Sequence, residues 1–108
     1  MRVTSVLTIA ESNRALLRAH LAGIITDEQH GAALQVIQRF ARRCHVVRIT
    51  EPILSRASRR FPVEPIRTLD AIHLATAEAL GNHPVPVIIV TRDRRIEENA
   101  RAAGYSVE

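Results

Sequence analysis

Apolar residues recur at helical spacing almost from the first residue. Between Ser5 and Leu21, the positions Leu7, Ala10, Leu17 and Leu21 fall on one stripe, which predicts an amphipathic helix that Gly23 ends. Thr26 and Gln29 have the spacing of a capping box, in which each side chain satisfies a free amide at a helix start. The helix that follows turns Ala33, Val36, Ile37 and Phe40 towards a core. It places Arg39, Arg42 and Arg43 near its C-terminus, where the dipole favours cations. Arg2-Val3-Thr4 reads as a strand stub, and His45 to Ile49 as a short β-branched strand. Thr50 caps another helix, with Pro52 tolerated in its first turn, and that helix stops before Phe61-Pro62.

The second half repeats the alternation. Val63-Glu64-Pro65 is a loop, and Thr68 caps a helix that runs to Leu80 and is closed by Gly81. Val87 to Val90 is a continuous apolar strand of the kind buried on both faces of a parallel sheet, with Pro86 at its entry. A last helix spans Arg94 to Ala103, and Gly104 leads into a final strand, Tyr105 to Val107. There is no internal repeat, low-complexity tract or linker. The order of elements predicts one α/β domain over residues 1–108 with a mostly parallel sheet. In such sheets the ligand crevice lies beyond the carboxyl ends of the strands.

Composition sets limits on that picture. With 108 residues there is room for one domain, which buries roughly two thirds of its unfolded surface. At 46% hydrophobic and 24% charged, the chain is too apolar for disorder. No apolar run reaches the ~20 residues of a membrane helix, and Met1 to Ser5 do not begin a signal peptide. The single cysteine, Cys44, forms no internal disulfide, and a cytoplasmic location is expected. Net charge is +4, and all 15 basic residues are arginine, the side chain suited to bidentate phosphate contacts. Arg42-Arg43, Arg59-Arg60 and Arg94-Arg95 are paired. Two readings stand: solvated helix-end charges, or the footprint of a polyanion.

The crevice rule directs attention to three acids. Asp93 follows the apolar strand, Asp70 lies in a helix first turn, and Glu11 sits at the edge of an apolar stripe. Each also has a plain structural explanation. Asp93 can serve as an N-cap, Asp70 as a first-turn acid favoured by the dipole, and Glu11 as a partner of Arg14. Periodicity alone does not bring the three together.

Three segments go further. Ser5-Val6-Leu7-Thr8-Ile9-Ala10-Glu11 with Arg14-Ala15-Leu16, then Leu69-Asp70-Ala71-Ile72-His73-Leu74-Ala75-Thr76-Ala77, then Val90-Thr91-Arg92-Asp93-Arg94-Arg95-Ile96 with Ala100 and Ala103-Gly104, occur in that order over nearly the whole chain. Together they resemble the conserved segments of PIN domains of the VapC-like toxin type. The resemblance implies a Mg²⁺-dependent endoribonuclease, with Mn²⁺ as a substitute ion, acting on RNA and held in check by a cognate antitoxin. It also implies a homodimer. Glu11, Asp70 and Asp93 match three of the family's four active-site acids. Asp70 and Asp93 correspond to direct or water-mediated metal ligands, and Glu11 to a residue that orients metal-bound water. Thr91 steadies the site by hydrogen bonding, and Arg14 buffers the acidic cluster. His73, one turn beyond Asp70, reads as a packed helix position rather than a ligand.

The resemblance also carries a departure. The family's first strand and helix, with an aspartate that is a principal ligand, are expected to be missing before Val3-Thr4-Ser5. A misplaced start codon, gene decay or completion by a partner strand would each account for it, and the first two are favoured. The alternative function is a catalytically inactive PIN remnant that retains an RNA- or antitoxin-binding surface.

Overall fold

Among the described residues helices dominate, and four short strands pair two by two. The computed structural model describes residues 2–81, 88–91 and 93–108. They divide into two compact units, Met1–Arg48 and Ile49–Glu108.

In the first unit, strand β1 (Val3–Ser5) leads into α1 (Val6–Leu21), then α2 (Asp27–Arg43) and β2 (His45–Val47). β1 and β2 are parallel, with Val3 opposite His45 and Ser5 opposite Val47. A parallel pair needs a long crossover, and the α1–α2 hairpin supplies it. Ser5 is buried and caps α1 by accepting a hydrogen bond from the Leu7 amide. At the other end Gly23 takes a positive φ of 74°, and the amides of Gly23 and Ile24 donate to the carbonyls of His20 and Ala19. This is the paired C-terminal closure that only glycine enters without strain. The expected capping box is present: the Gln29 amide donates to Thr26 Oγ1 at 3.1 Å, and the Thr26 amide to Gln29 Oε1 at 2.9 Å.

The expected apolar stripes need correction. Along α2 the half-buried seam is His30, Ala33, Leu34, Ile37 and Ala41. Val36 and Phe40 stand about 100° off that seam and are exposed, Phe40 by 42%. On α1, Leu21 is 76% exposed and Ala10 is exposed as well. One helix packed on another covers a narrow band of each, so residues flanking the seam stay outside it. Neither α1 nor α2 contains a fully buried residue.

The second unit holds the core. Its elements are α3 (Glu51–Ala57), α4 (Thr68–Ala79), β3 (Ile88–Ile89), α5 (Arg94–Ala102) and β4 (Ser106–Val107). Ile53, Phe61, Ala71, Ile72, Leu74, Ala75 and Ala100 are buried, so α4 is the central helix, packed by α3 and by α5. Thr50 is the N-cap position of α3, although its side chain makes no capping bond, and Pro52 lies in the first turn. Arg67, not Thr68, is the N-cap of α4, and Leu80 ends it. These one-residue differences from expectation are ordinary at helix ends, where sequence fixes the turn better than the residue. Gly104 has φ 92° and closes α5, its amide donating to Arg101 O while the Tyr105 amide donates to Ala100 O.

β3 and β4 are parallel, joined by α5, with Ile88 opposite Ser106 and Ile89 opposite Val107. Among the described residues each unit therefore holds one two-stranded parallel ladder. The parallel sense is the expected one. The apolar strand is not buried on both faces: Ile88 is 57% exposed and Val90 76%. The expected entry residues Pro86 and Val87 lie outside the described residues.

Candidate active site

Asp93 occupies the position immediately before α5, in extended backbone. Its Oδ1 accepts hydrogen bonds from the amides of Arg95 at 2.9 Å and Ile96 at 3.3 Å. Two of the helix's free amides are thereby satisfied, so the plain reading of Asp93 as an N-cap is correct as far as it goes. Thr91 Oγ1 accepts from the Asp93 amide at 3.0 Å, which fixes the backbone entering the cap. Capping uses Oδ1 only. Among the described residues no donor reaches Oδ2, and the residue is exposed.

Asp70 is the third residue of α4 and is half-buried. Its carboxylate makes no hydrogen bond or ion pair among the described residues. A first-turn acid is favoured by the helix dipole, but a partly buried carboxylate without a partner is unusual where ordinary stability is the only requirement. α4 has no side-chain cap, so its N-terminal end presents free amides and an unengaged acid together. His73 is half-buried on the same helix. Glu11 belongs to the first unit, half-buried on α1, with Arg14 exposed one turn further on.

The sequence did not reveal what joins the two acid-bearing segments of the second unit. Asn99 is 1% exposed in the middle of α5. Its Oδ1 accepts from the Val63 amide at 2.8 Å, and its Nδ2 donates to Val63 O at 2.8 Å and to Arg95 O at 3.1 Å. The loop before α4 is thus tied to α5. That loop is also closed on itself: Glu64 accepts from the amides of Phe61 at 2.8 Å and Ile66 at 2.9 Å, and the Glu64–Pro65 bond is cis. The signal for Asn99 was its place beside Ile96 and Ala100 on the inner face of a helix, where asparagine is a poor choice unless its amide is used. From the other side, Tyr105 donates from its hydroxyl to Ala77 O at 3.3 Å. Burial, and then the charge of Glu78, hold the Tyr105 phenol above its ordinary pKa of 10.0.

A groove of ≈ 450 Å³ lies in the second unit, floored by Leu54, Ala57, Ile66, Ala71 and Ile72 and rimmed by Arg59, Arg60 and Thr68. Asp70 is not part of its lining. On α4 it lies about 160° around the helix axis from Thr68, so the groove and the Asp70 carboxylate occupy different faces of that helix.

Among the described residues no group of three or more His, Cys, Asp or Glu side chains is gathered to hold a metal ion. The donors themselves suit a hard cation. Mg²⁺ keeps several waters and is commonly held by one or two carboxylates plus substrate phosphate, so it does not require a ready-made protein cage. The carboxylates of Asp70 and Asp93 are donors of that type.

The PIN domain family model matches residues 1–102. The chain belongs to the PIN-domain family. This PIN domain is 36% identical over 105 residues to a protein named Ribonuclease VapC35 from Mycobacterium tuberculosis, an alignment that covers 97% of this chain and 70% of the relative. It is 34% identical over 106 residues to Ribonuclease VapC46 from the same species, covering 98% and 72%. No solved structure gives a significant match. The PIN match starts at residue 1, and so lends no support to the expected loss of the family's first strand and helix.

Proposed function

We propose that this chain is a Mg²⁺-dependent endoribonuclease and the toxin partner of a toxin–antitoxin pair, with residues 1–108 acting as one PIN domain. The observation that carries the reading is a family match running through both structural units, joined to the unengaged carboxylate at the start of α4. The relatives' name as ribonucleases supports RNA as the substrate.

In this reading Asp70 and Asp93 hold the ion, and Glu11 orients a water within its shell. A bound Mg²⁺ would supply charge stabilisation on the phosphoryl oxygens and lower the pKa of the attacking water, and Mn²⁺ would do the same. The chain's own task is positional. Thr91 and the first amides of α5 fix the Asp93 carboxylate, leaving one oxygen to face the ion. Asp70 is carried by the most deeply packed helix of the molecule, which limits its excursions. Exposed arginines on α2, after α3 and at the start of α5 attract the RNA backbone. A cognate antitoxin, a homodimer and a cytoplasmic location complete the proposal. No helix of the described residues is long and apolar enough to cross a membrane.

A second reading is a PIN module that binds RNA or antitoxin without cleaving. It is favoured by Arg59 and Arg60, which rim the groove away from Asp70. Purified protein incubated with RNA and Mg²⁺ or Mn²⁺ decides between them. The nuclease reading expects cleavage that chelation abolishes and that Asp70→Asn, Asp93→Asn removes. Cleavage unchanged in that double variant would overturn it, and RNA binding without cleavage would establish the second reading.

A further inference from the structure

We propose that Asn99 is a positioning residue for the acidic site, setting the placement of the Asp93-bearing helix against the segment that leads to Asp70. The proposal rests on the nuclease reading above and adds to it a residue with no chemistry of its own.

Three features of Asn99 support this. Both hydrogens of its side-chain amide are donated and its oxygen accepts, so the group is satisfied in a fully buried setting. Two of those bonds go to one residue, Val63, whose amide and carbonyl are both engaged, as in one rung of an antiparallel ladder. Such a two-point match specifies orientation as well as proximity. The third bond, back to Arg95 O, holds the side chain in one rotamer and belongs to the same turn whose amide is capped by Asp93.

What Asn99 joins is equally specific. Asp93 precedes it by six residues across continuous helix, a rigid lever of about 9 Å. Val63 lies in the loop that Glu64 closes, and five residues later α4 begins, with Asp70 in its third position. An apolar side chain at 99 would fill the same space and exclude the same water. It would not fix the rotation of α5 against the loop, because apolar contacts are not directional. A buried amide with this bonding pattern therefore acts on geometry more than on burial.

The test uses the full chain with Asn99→Asp, which is close in shape, keeps the acceptor for the Val63 amide and loses both donors, and with Asn99→Ala. Mn²⁺ binding is measured by calorimetry without RNA, alongside kcat and KM for RNA cleavage. Arg56→Met, which breaks an ion pair elsewhere in the same unit, is the control for loss of stability. All proteins are assayed at a temperature where circular dichroism shows them folded. We expect Mn²⁺ affinity to fall by about tenfold in the Asn99 variants and kcat to fall with it, with KM for RNA nearly unchanged and Arg56→Met close to wild type on every reading. If Asn99→Ala does not fold, Asn99→Asp alone carries the comparison. Wild-type Mn²⁺ affinity in a folded Asn99 variant, or an equal loss in Arg56→Met, overturns the proposal. Should Asp70→Asn, Asp93→Asn leave wild-type cleavage intact, the nuclease assignment of those acids fails instead.

Discussion

Arg56 and Glu78 form a two-point ion pair between α3 and α4, with Nε 2.6 Å from Oε2 and the second terminal nitrogen 3.0 Å from Oε1. The same guanidinium lies 3.9 Å from the centroid of the Phe61 ring, and its remaining nitrogen donates to the carbonyls of Arg59 and Arg60. One side chain thus gathers a helix, a buried aromatic ring and the turn that follows α3. Fork-to-carboxylate geometry and stacking are properties of arginine that lysine does not share. Arg56→Lys should therefore destabilise the protein nearly as much as Arg56→Met. The expected loss is roughly 1–2 kcal/mol, kept modest because both partners retain some solvent contact. Urea unfolding of the two variants checks it, and a wild-type midpoint for Arg56→Lys would show that charge alone suffices.

Asp93 caps α5, and the proposed nuclease reading gives it a second duty that substitution separates from the first. Asparagine caps a helix about as well as aspartate, whereas alanine costs about 1 kcal/mol. Asp93→Asn should melt near the wild-type temperature and lose cleavage by at least ~100-fold, a size ordinary for removing a group that stabilises transition-state charge. Asp93→Ala should lose both stability and activity. Thermal melts beside cleavage rates test this; full activity in Asp93→Asn would leave the residue a cap and nothing more.

The phenol of Tyr105 makes stability depend on alkaline pH. It ionises at its ordinary value of 10.0 in the unfolded chain and higher when folded, because of burial and then the charge of Glu78. Below pH 10 it is neutral in both states and its contribution is fully present. As the pH rises past 10 the unfolded chain binds fewer protons than the folded one, and stability falls. Melting temperatures between pH 9 and 11 should decline more steeply for wild type than for Tyr105→Phe. Parallel curves would contradict this. Glu78→Gln should move the phenol's titration, followed by ultraviolet absorbance, back towards 10.

The arginines offer a test of RNA attraction. Arg59 and Arg60 are exposed, and among the described residues their side chains make no hydrogen bond or ion pair. Arg94 and Arg95 stand at the N-terminal end of α5, where the dipole opposes cations. Only Arg94 gains an intrahelical partner, Glu98 at 3.7 Å. A cation placed against the dipole is more easily explained by a ligand than by stability, whereas Arg42 and Arg43 in the last turn of α2 suit their helix. Arg95→Ala should weaken RNA binding and flatten its dependence on log salt by about 0.7. Arg42→Ala should change it less. Equal slopes for the two would assign them the same role.

Local rules in the sequence determined much of this protein. The Thr26–Gln29 box, the closures at Gly23 and Gly104 and the cap at Asp93 each depend on a few neighbouring residues, and all occur where the sequence placed them. The family was legible too, because its three segments carry residue types at fixed spacing. Tertiary structure alone decided the rest. Val36 and Phe40 had the periodicity of a core stripe and yet stand outside it, since periodicity gives a helix's apolar side but not the width its neighbour covers. The strands were read correctly as parallel, but which of them pair depends on contacts between distant segments. Arg56 with Glu78 and Asn99 with Val63 lie 22 and 36 residues apart in the chain. No local pattern announces a hydrogen bond of that reach; it exists only once the backbone has brought a donor and an acceptor into line.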